Sequence, residues 1–182
     1  MELGKTLYVT DRKQWRAWLK ANHATAKEIW LIYYKKHTAK PRIPYDDAVE
    51  EALCYGWIDS TVMRMDEERT AQRYSPRRPR SFLSETNKER VRRLVKSKKM
   101  TRAGLAIIQT QLDETFTAAA DIVAELKKDA KTWKNFKGFS ETYRRIRIGW
   151  IDAARHRPEI FQQRLRYLLK MTAQNKKFGM VQ

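Results

Sequence analysis

The sequence predicts an α+β fold: a small antiparallel or mixed sheet of about four strands with helices, followed by a C-terminal helical region. Runs dense in aromatic and β-branched residues occur at Thr6–Val9, Glu28–Lys36, Trp57–Met65 and Arg69–Ser75, and none follows Met100. After Met100 apolar residues recur only at three- and four-residue spacing, the helical period. The 182 residues are 42% hydrophobic and 11% aromatic, enough for a core, and a single Cys excludes a disulfide scaffold or a four-cysteine zinc site. The expected organisation is an α+β domain over 1–100 and a helical region over 101–182.

Thr6–Val9 is a short strand, after which Asp11 caps a helix whose Trp15, Trp18 and Leu19 fall on one face. Glu28–Lys36 is the densest strand run, and Pro41 and Pro44 punctuate the next loop. Ala48, Val49, Ala52 and Leu53 make a helical stripe over Asp46–Tyr55, with Gly56 at the position that ends such a helix in the left-handed region. Trp57–Met65 alternates, with Trp57, Asp59, Thr61, Met63 and Met65 on one side and Ile58, Ser60, Val62 and Arg64 on the other. A polar turn at Asp66–Glu68 leads into a return strand that Pro76 and Pro79 stop. Ser84 caps a basic helix with Val91, Leu94 and Val95 as its core face. Helices come next at Thr101–Leu112, at Ala118–Lys128 and from Tyr143 onward, the last restarting after Pro158 with Phe161, Leu165, Leu168 and Leu169.

Thirty-nine Lys and Arg oppose 21 Asp and Glu, a formal net charge of +18. Twelve basic residues stand against Glu85 and Glu89 between Gln72 and Arg102, a block of +10, and ten against three between Glu141 and Gln182, a block of +7. The rest of the chain is nearly balanced at +1. Charge of this kind concerns partners and not fold. The expected partner is an anionic ligand or polyanion, with nucleic acid among the candidates. No run approaches eighteen apolar residues and the first nineteen residues lack a signal peptide's apolar stretch. The expectation is a cytoplasmic protein without a transmembrane segment, with Cys54 a reduced, buried thiol.

Three groups of residues carry candidate chemistry. In the proline-rich elbow, Arg73, Arg77, Arg78 and Arg80 precede a helix start capped by Ser84, with Ser81 and Asn87 as neutral donors. Guanidinium forks and free helix N–H groups together suit phosphate or carboxylate. The structural alternative is that these arginines pair with carboxylates of the balanced half. Next, Trp57, Asp59 and Ser60 place a carboxylate beside a large aromatic, as a general base or ligand clamp would need, although an ion pair to Arg73 with Trp57 in the core is the commoner outcome. Finally, Arg144, Arg147 and Arg155 form a basic ridge beside the packing stripe of Tyr143, Ile146, Trp150 and Ala153, a pattern that tracks phosphates or simply solvates a helix. His23, His37 and His156 share no ligand spacing, and phosphate-loop, dinucleotide and nucleophile-elbow motifs are missing, so neither metal nor cofactor is expected.

The run Tyr45–Ser60 (YDDAVEEALCYGWIDS), then Arg73–Pro79 with Ser81, Ser84 and Asn87, then Met100–Leu105, and Ser140–Arg145 through Trp150–Arg155, resembles the YdeI/OmpD-associated family. Leu83 stands where that family usually has Trp, Arg155 where it has Lys, and Ile160-Phe161 where it has Thr-Arg. The resemblance implies a role in protection against bacteriocins and antimicrobial peptides and in envelope stress, and brings no catalytic residues with it. The functional expectation is therefore a non-catalytic protection protein that binds an anionic partner through basic surfaces. The alternative is an enzyme acting on an anionic small molecule at an Arg/Ser pocket.

Overall fold

The computed structural model describes residues 2–78 and 81–179. Arg80 of the elbow lies outside the described residues, as does Pro79. The fold is α+β, and the chain divides into two compact units, Met1–Phe82 with Arg90–Asp113 and Leu83–Glu89 with Glu114–Gln182. No helix among the described residues is long and apolar enough to cross a membrane.

The first unit holds a four-stranded mixed sheet in the order β1-β2-β4-β3, from Thr6–Leu7, Ile29–Tyr34, Arg69–Pro76 and Trp57–Arg64 respectively. β1 runs parallel to β2, pairing Thr6 with Trp30, because α1 (Arg12–Asn22) makes the crossover that a parallel pair requires. Asp11 caps α1 by accepting from the Gln14 N–H at 2.9 Å, as its sequence position predicts. β3 and β4 form a hairpin closed by Asp66, whose Oδ1 accepts from the N–H groups of Glu68 and Arg69.

The hairpin corrects the expected alternation in β3. Asp59 pairs with Tyr74 and Val62 with Gln72, so three steps on β3 match two on β4. This bulge at Ser60 and Thr61 puts Asp59, Val62 and Arg64 on one face, where a strict two-residue period separates Asp59 from Val62. The Gln72 Nε2 donates to the Ser60 carbonyl at 3.2 Å within the bulge.

Trp15 and Leu19 of α1, Ala48, Val49, Ala52 and Leu53 of α2 (Tyr45–Cys54), and Leu31, Trp57 and Tyr74 of the sheet are all buried in this unit. Trp15 Nε1 donates to the Ala48 carbonyl at 3.0 Å and Trp57 Nε1 to the His23 carbonyl at 3.1 Å, so each indole keeps its polar edge satisfied. Gly56 ends α2 with φ +74°, and its missing Cβ leaves room for Ile107 of α4 (Arg102–Leu112). Thr101 caps α4 at Gly104 and also donates its hydroxyl to the Cys54 carbonyl at 2.6 Å. A Cβ on Gly104 would sit 2.3 Å from that carbonyl oxygen. The Cys54–Gly56 and Thr101–Gly104 runs therefore form a backbone-to-backbone clasp between α2 and α4. Cys54 is a buried free thiol, and burial raises its pKa.

α3 (Glu85–Lys96) begins among the residues of the second unit and ends among those of the first. Val91 and Leu94 are buried, whereas Val95, expected on the same face, is 44% exposed: it lies one position past the edge of a narrow stripe.

The second unit packs α5 (Ala120–Lys127), α6 (Ala130–Gly138), α7 (Glu141–Asp152) and α8 (Pro158–Ala173) around Ile122, Leu126, Phe136, Tyr143, Ile151, Phe161 and Leu168. α6 is a helix that the periodicity did not separate. Asp129 starts it by accepting from the Thr132 N–H at 2.7 Å, and only Thr132 and Phe136 are buried along it. Ser140 caps α7, and Pro158 opens α8 in the first turn, where its missing N–H costs nothing.

Candidate functional site

The arginines of the elbow meet different fates. Arg73 donates from Nε and Nη2 to Glu28 Oε2 at 2.7 and 2.6 Å, and Trp30 Nε1 donates to the other oxygen at 3.0 Å. The Trp30 and Arg73 bonds hold the Glu28 carboxyl below its ordinary range. Arg77 is 6% exposed and meets no carboxylate among the described residues; its Nη2 donates to the carbonyls of Ser81 and Phe82 at 2.9 and 3.0 Å. Burial lowers its pKa, and the side chain acts as an internal clamp on the loop after β4. Arg78 is exposed. Ser84 caps α3 by accepting from the Asn87 N–H at 3.3 Å. Arg73, Arg77, Arg78 and Ser81 belong to the first unit, and Ser84 and Asn87 to the second.

Trp57 lies in the core, and Asp59 takes the Tyr45 hydroxyl at 2.7 Å instead of an arginine. Burial first, and then the bond to Asp59, push the Tyr45 hydroxyl pKa upward. The buried Tyr33 and Tyr74 hydroxyls lie 3.3 Å apart behind it, and burial raises both. Ser60 is exposed and sits 3.4 Å from Arg73 Nη1. Trp57 thus packs into the core with its indole N–H on the His23 carbonyl, and Asp59 keeps the Tyr45 hydroxyl as its partner. An open depression of about 420 Å³ lined by Thr10, Asp11, Arg12, Lys13, Pro44 and Asp47 contains none of these side chains.

In the second unit, Arg155 is held by Asp121 at 2.7 Å and Asp152 at 2.5 Å, and those acceptors raise its pKa. Arg147 turns inward, 7% exposed, with its guanidinium carbon 5.2 Å from the Tyr143 ring, 6.0 Å from Trp150 and 4.6 Å from Phe178. Arg144 is half-buried, with its Nε unpartnered. The expected ridge is therefore not a continuous exposed one: its middle arginine is inside the helix layer and its last is ion-paired.

An open cationic face lies elsewhere, on α5 and α6. Between Lys127 and Lys137 there are five lysines and one acid, Asp129, whose carboxylate caps Thr132. Lys128 pairs with Glu125 at 2.7 Å. Lys127 and Lys137 place their ammonium groups 5.4 and 5.6 Å from the centre of the half-buried Trp133 ring, and Lys131 and Lys134 are exposed. Block counting missed this face because it is short and begins before the C-terminal basic block. The available signal was the 127, 131, 134, 137 spacing around a Trp.

Residues 7–107, from β1 into α4, match the family model described as Domain of unknown function (DUF8412). Residues 115–175, which contain α5 to α8, match the family model described as Bacteriocin-protection, YdeI or OmpD-Associated. The Ser140–Arg155 part of the resemblance falls in the second match and the Tyr45–Ser60, Arg73–Asn87 and Met100–Leu105 parts in the first. No curated protein and no solved structure matches the chain.

Proposed function

The chain belongs to the DUF8412 family and carries a C-terminal segment matching the bacteriocin-protection, YdeI or OmpD-associated model, and from that premise we propose a non-catalytic protection protein that binds an anionic, phosphate-bearing polymer. The observation that carries this reading is the arrangement of Lys127 at the end of α5 and Lys137 on α6 beside Trp133, with Lys131 and Lys134 exposed on α6. Ammonium groups neutralise successive phosphates, and an indole between them offers a face on which a base stacks. Lys96, Lys98, Lys99 and Arg102, all exposed around the end of α3 and the start of α4, add a second cationic cluster in the first unit. Arg78 extends the elbow's share, whereas Arg73 and Arg77 are engaged by Glu28 and by loop carbonyls. A net charge of +18 repels any cationic peptide, so protection on this reading works through an anionic target and not by capturing a cationic toxin.

Fluorescence anisotropy with a labelled single-stranded oligonucleotide, titrated over a range of salt, tests the reading. Each neutralised phosphate contributes a log–log salt slope of about −0.7 on single strands, so Lys127→Gln with Lys137→Gln should flatten the slope by about 1.4. Trp133→Leu should weaken binding about tenfold or more with the slope unchanged, the expected loss of one stacked base. Salt-insensitive binding, or binding that none of the three substitutions changes, would remove the proposal.

A further inference from the structure

Residues 175–179 are folded back by a specific device. Asn175 adopts φ +53°, its N–H bonds to the Thr172 carbonyl at 2.8 Å, and the Lys176 N–H reaches back to the Met171 carbonyl at 2.9 Å. This closes α8 in the Schellman pattern. Asn135 Nδ2 secures the turn by donating to the Thr172 carbonyl at 2.9 Å. The reversal sends Lys176–Gly179 across α7 and α8 as a strap. The Phe178 ring sits 4.7 Å from Tyr167, 5.9 Å from Trp150 and 6.3 Å from Tyr143, all edge-on, and its N–H donates to the Tyr143 hydroxyl oxygen at 3.2 Å.

Arg147 lies at the base of this seat. It is more than nine-tenths buried, its Nε has no acceptor, and no carboxylate or carbonyl among the described residues takes a bond from it. Its neighbour Arg145, by contrast, binds Glu85 at 2.9 Å and Glu89 at 2.8 Å. Ring faces compensate a buried guanidinium only in part, because they leave its N–H donors unused. Gly179 closes over those donors: a Cβ there would lie 2.7 and 2.9 Å from Nη2 and Nη1. The seat therefore presents an aromatic slot beside an unused bidentate fork, and the strap fills the slot while leaving the fork unmatched.

We propose that Tyr143, Arg147, Trp150 and Tyr167 form a receptor for an aromatic carboxylate, with the Phe178 strap as its built-in competitor. The ligand's ring takes the place of the Phe178 ring, and its carboxylate makes the two parallel N–H···O bonds that Arg147 lacks. A free aromatic α-amino acid derivative and a peptide ending in an aromatic residue share this chemistry. An inorganic anion does not, since it leaves the ring slot empty. Lys176 and Lys177, both exposed on the strap, add attraction for an incoming carboxylate. This inference is independent of the polymer-binding reading and uses none of its lysines.

Calorimetric titration of the intact chain tests it with four probes: N-acetyl-phenylalanine, its amide, and a hexapeptide ending in Phe with a free or an amidated C-terminus. Phe178→Ala empties the slot and should tighten binding of at least one free acid tenfold or more over the parent chain, with the matching amide at least tenfold weaker. Arg147→Met in the same background should abolish the preference for acid over amide. Binding of both acids assigns the site to the shared aromatic carboxylate; binding of only the hexapeptide acid assigns it to peptide C-termini. If Phe178→Ala unfolds, Tyr143→Phe, which removes the hydroxyl that takes the Phe178 N–H and leaves the ring in place, gives the same comparison. In the parent chain, millimolar N-acetyl-phenylalanine should raise the melting temperature where its amide does not. Equal affinity for acid and amide, a preference that survives Arg147→Met, or no binding to an opened chain that still melts cooperatively would overturn the proposal.

Discussion

In the first unit a group of arginines is matched to carboxylates: Arg12 binds Asp47, Glu50 and Glu51, Arg16 binds Glu51, Arg90 binds Asp46, Arg93 binds Glu50 and Arg73 binds Glu28. In the second, Arg147 is buried without an acid, and neither the two lysines beside Trp133, Lys127 and Lys137, nor the exposed Lys131 and Lys134 have a carboxylate partner among the described residues. Formal charge and available charge are therefore distributed differently. The +10 block between Gln72 and Arg102 is the larger on paper, yet part of it is neutralised against the acidic helix α2. The same contrast extends to glycine. Gly104 lies against the Cys54 backbone, whereas Gly138 has nothing within 4 Å of where a Cβ would stand.

The glycines offer the largest way to break that comparison. Gly104→Ala drives a Cβ into backbone atoms of Cys54 and Leu53, which cannot rotate away, and should cost about 3 kcal/mol or more. Gly138→Ala, at the end of α6, should instead stabilise by up to about 0.5 kcal/mol, since alanine is the better helix former and meets no obstacle. Urea unfolding of the two variants reads both signs. A mild Gly104→Ala would mean that the α2–α4 clasp yields, and with it the structural account of the Thr101–Gly104 motif.

Ion pairs come next. Glu51 is 3% exposed and binds two arginines that remain about one-third exposed. Glu51→Gln should cost about 2 kcal/mol, below the full penalty of breaking a buried pair because Arg12 and Arg16 keep contact with water. Asp121→Asn, at an exposed pair with Arg155, should cost about 0.5 kcal/mol or less. Chemical denaturation in low and high salt distinguishes them further: added salt should erase the Asp121 effect and leave most of the Glu51 effect. Equal costs would collapse the distinction between the two units.

How much of this was legible beforehand depends on the range of the interaction involved. Asp11, Gly56, Ser84 and Pro158 mark element ends by local rules, and the structure uses each as its position predicts. The four strands announce themselves by composition. The β3 bulge does not, because Ser60 and Thr61 are polar enough for either face and nothing in the sequence counts the extra residue. α6 was hidden because Lys127–Lys131 reads as a continuing polar stretch, and Asp129 breaks it only by capping the next helix. Arg147 is the clearest case. Its helical phase sets it beside Arg144, but burial comes from Phe178, thirty-one residues later, through a turn at Asn175 that no periodicity reveals. The partner of Arg73 was hidden for the same reason, since Glu28 is forty-five residues away.

Two helix ends sharpen the comparison at smaller cost. α3 and α8 close in the same hydrogen-bond pattern, with Lys98 N–H to Val95 and Lys99 N–H to Leu94 in one, and the Asn175 and Lys176 bonds in the other. The pivots have φ +56° at Lys98 and +53° at Asn175. A lysine Cβ is strained there, while asparagine tolerates the left-handed region. Lys98→Gly should therefore raise stability by about 1 kcal/mol, and Asn175→Gly by no more than a few tenths of that amount. Thermal melts of both variants decide it, and equal gains would show that the lysine carries no strain.

The smallest effect is the dependence on acid. Trp30 and Arg73 hold the Glu28 carboxyl below its ordinary range, so folding is favoured by its ionised form. A group whose folded pKa is depressed contributes above its unfolded pKa, about 4.3 for glutamate, and that contribution is lost as pH falls through the lower folded value. Glu28 is only partly buried, so screening limits the gain at neutral pH to a few tenths of a kcal/mol. Glu28→Gln should consequently be less stable than the parent at pH 7, with the gap narrowing below about pH 4.3 and closing as the pH falls through the lower folded value. Asp121 is held down in the same way by Arg155, so Asp121→Asn should follow the same acid limb in the second unit. If the Glu28→Gln gap stays constant down to pH 3, the Arg73 contact acts through shape and hydrogen-bond geometry alone, and the neutralisation assigned to this arginine fails with it.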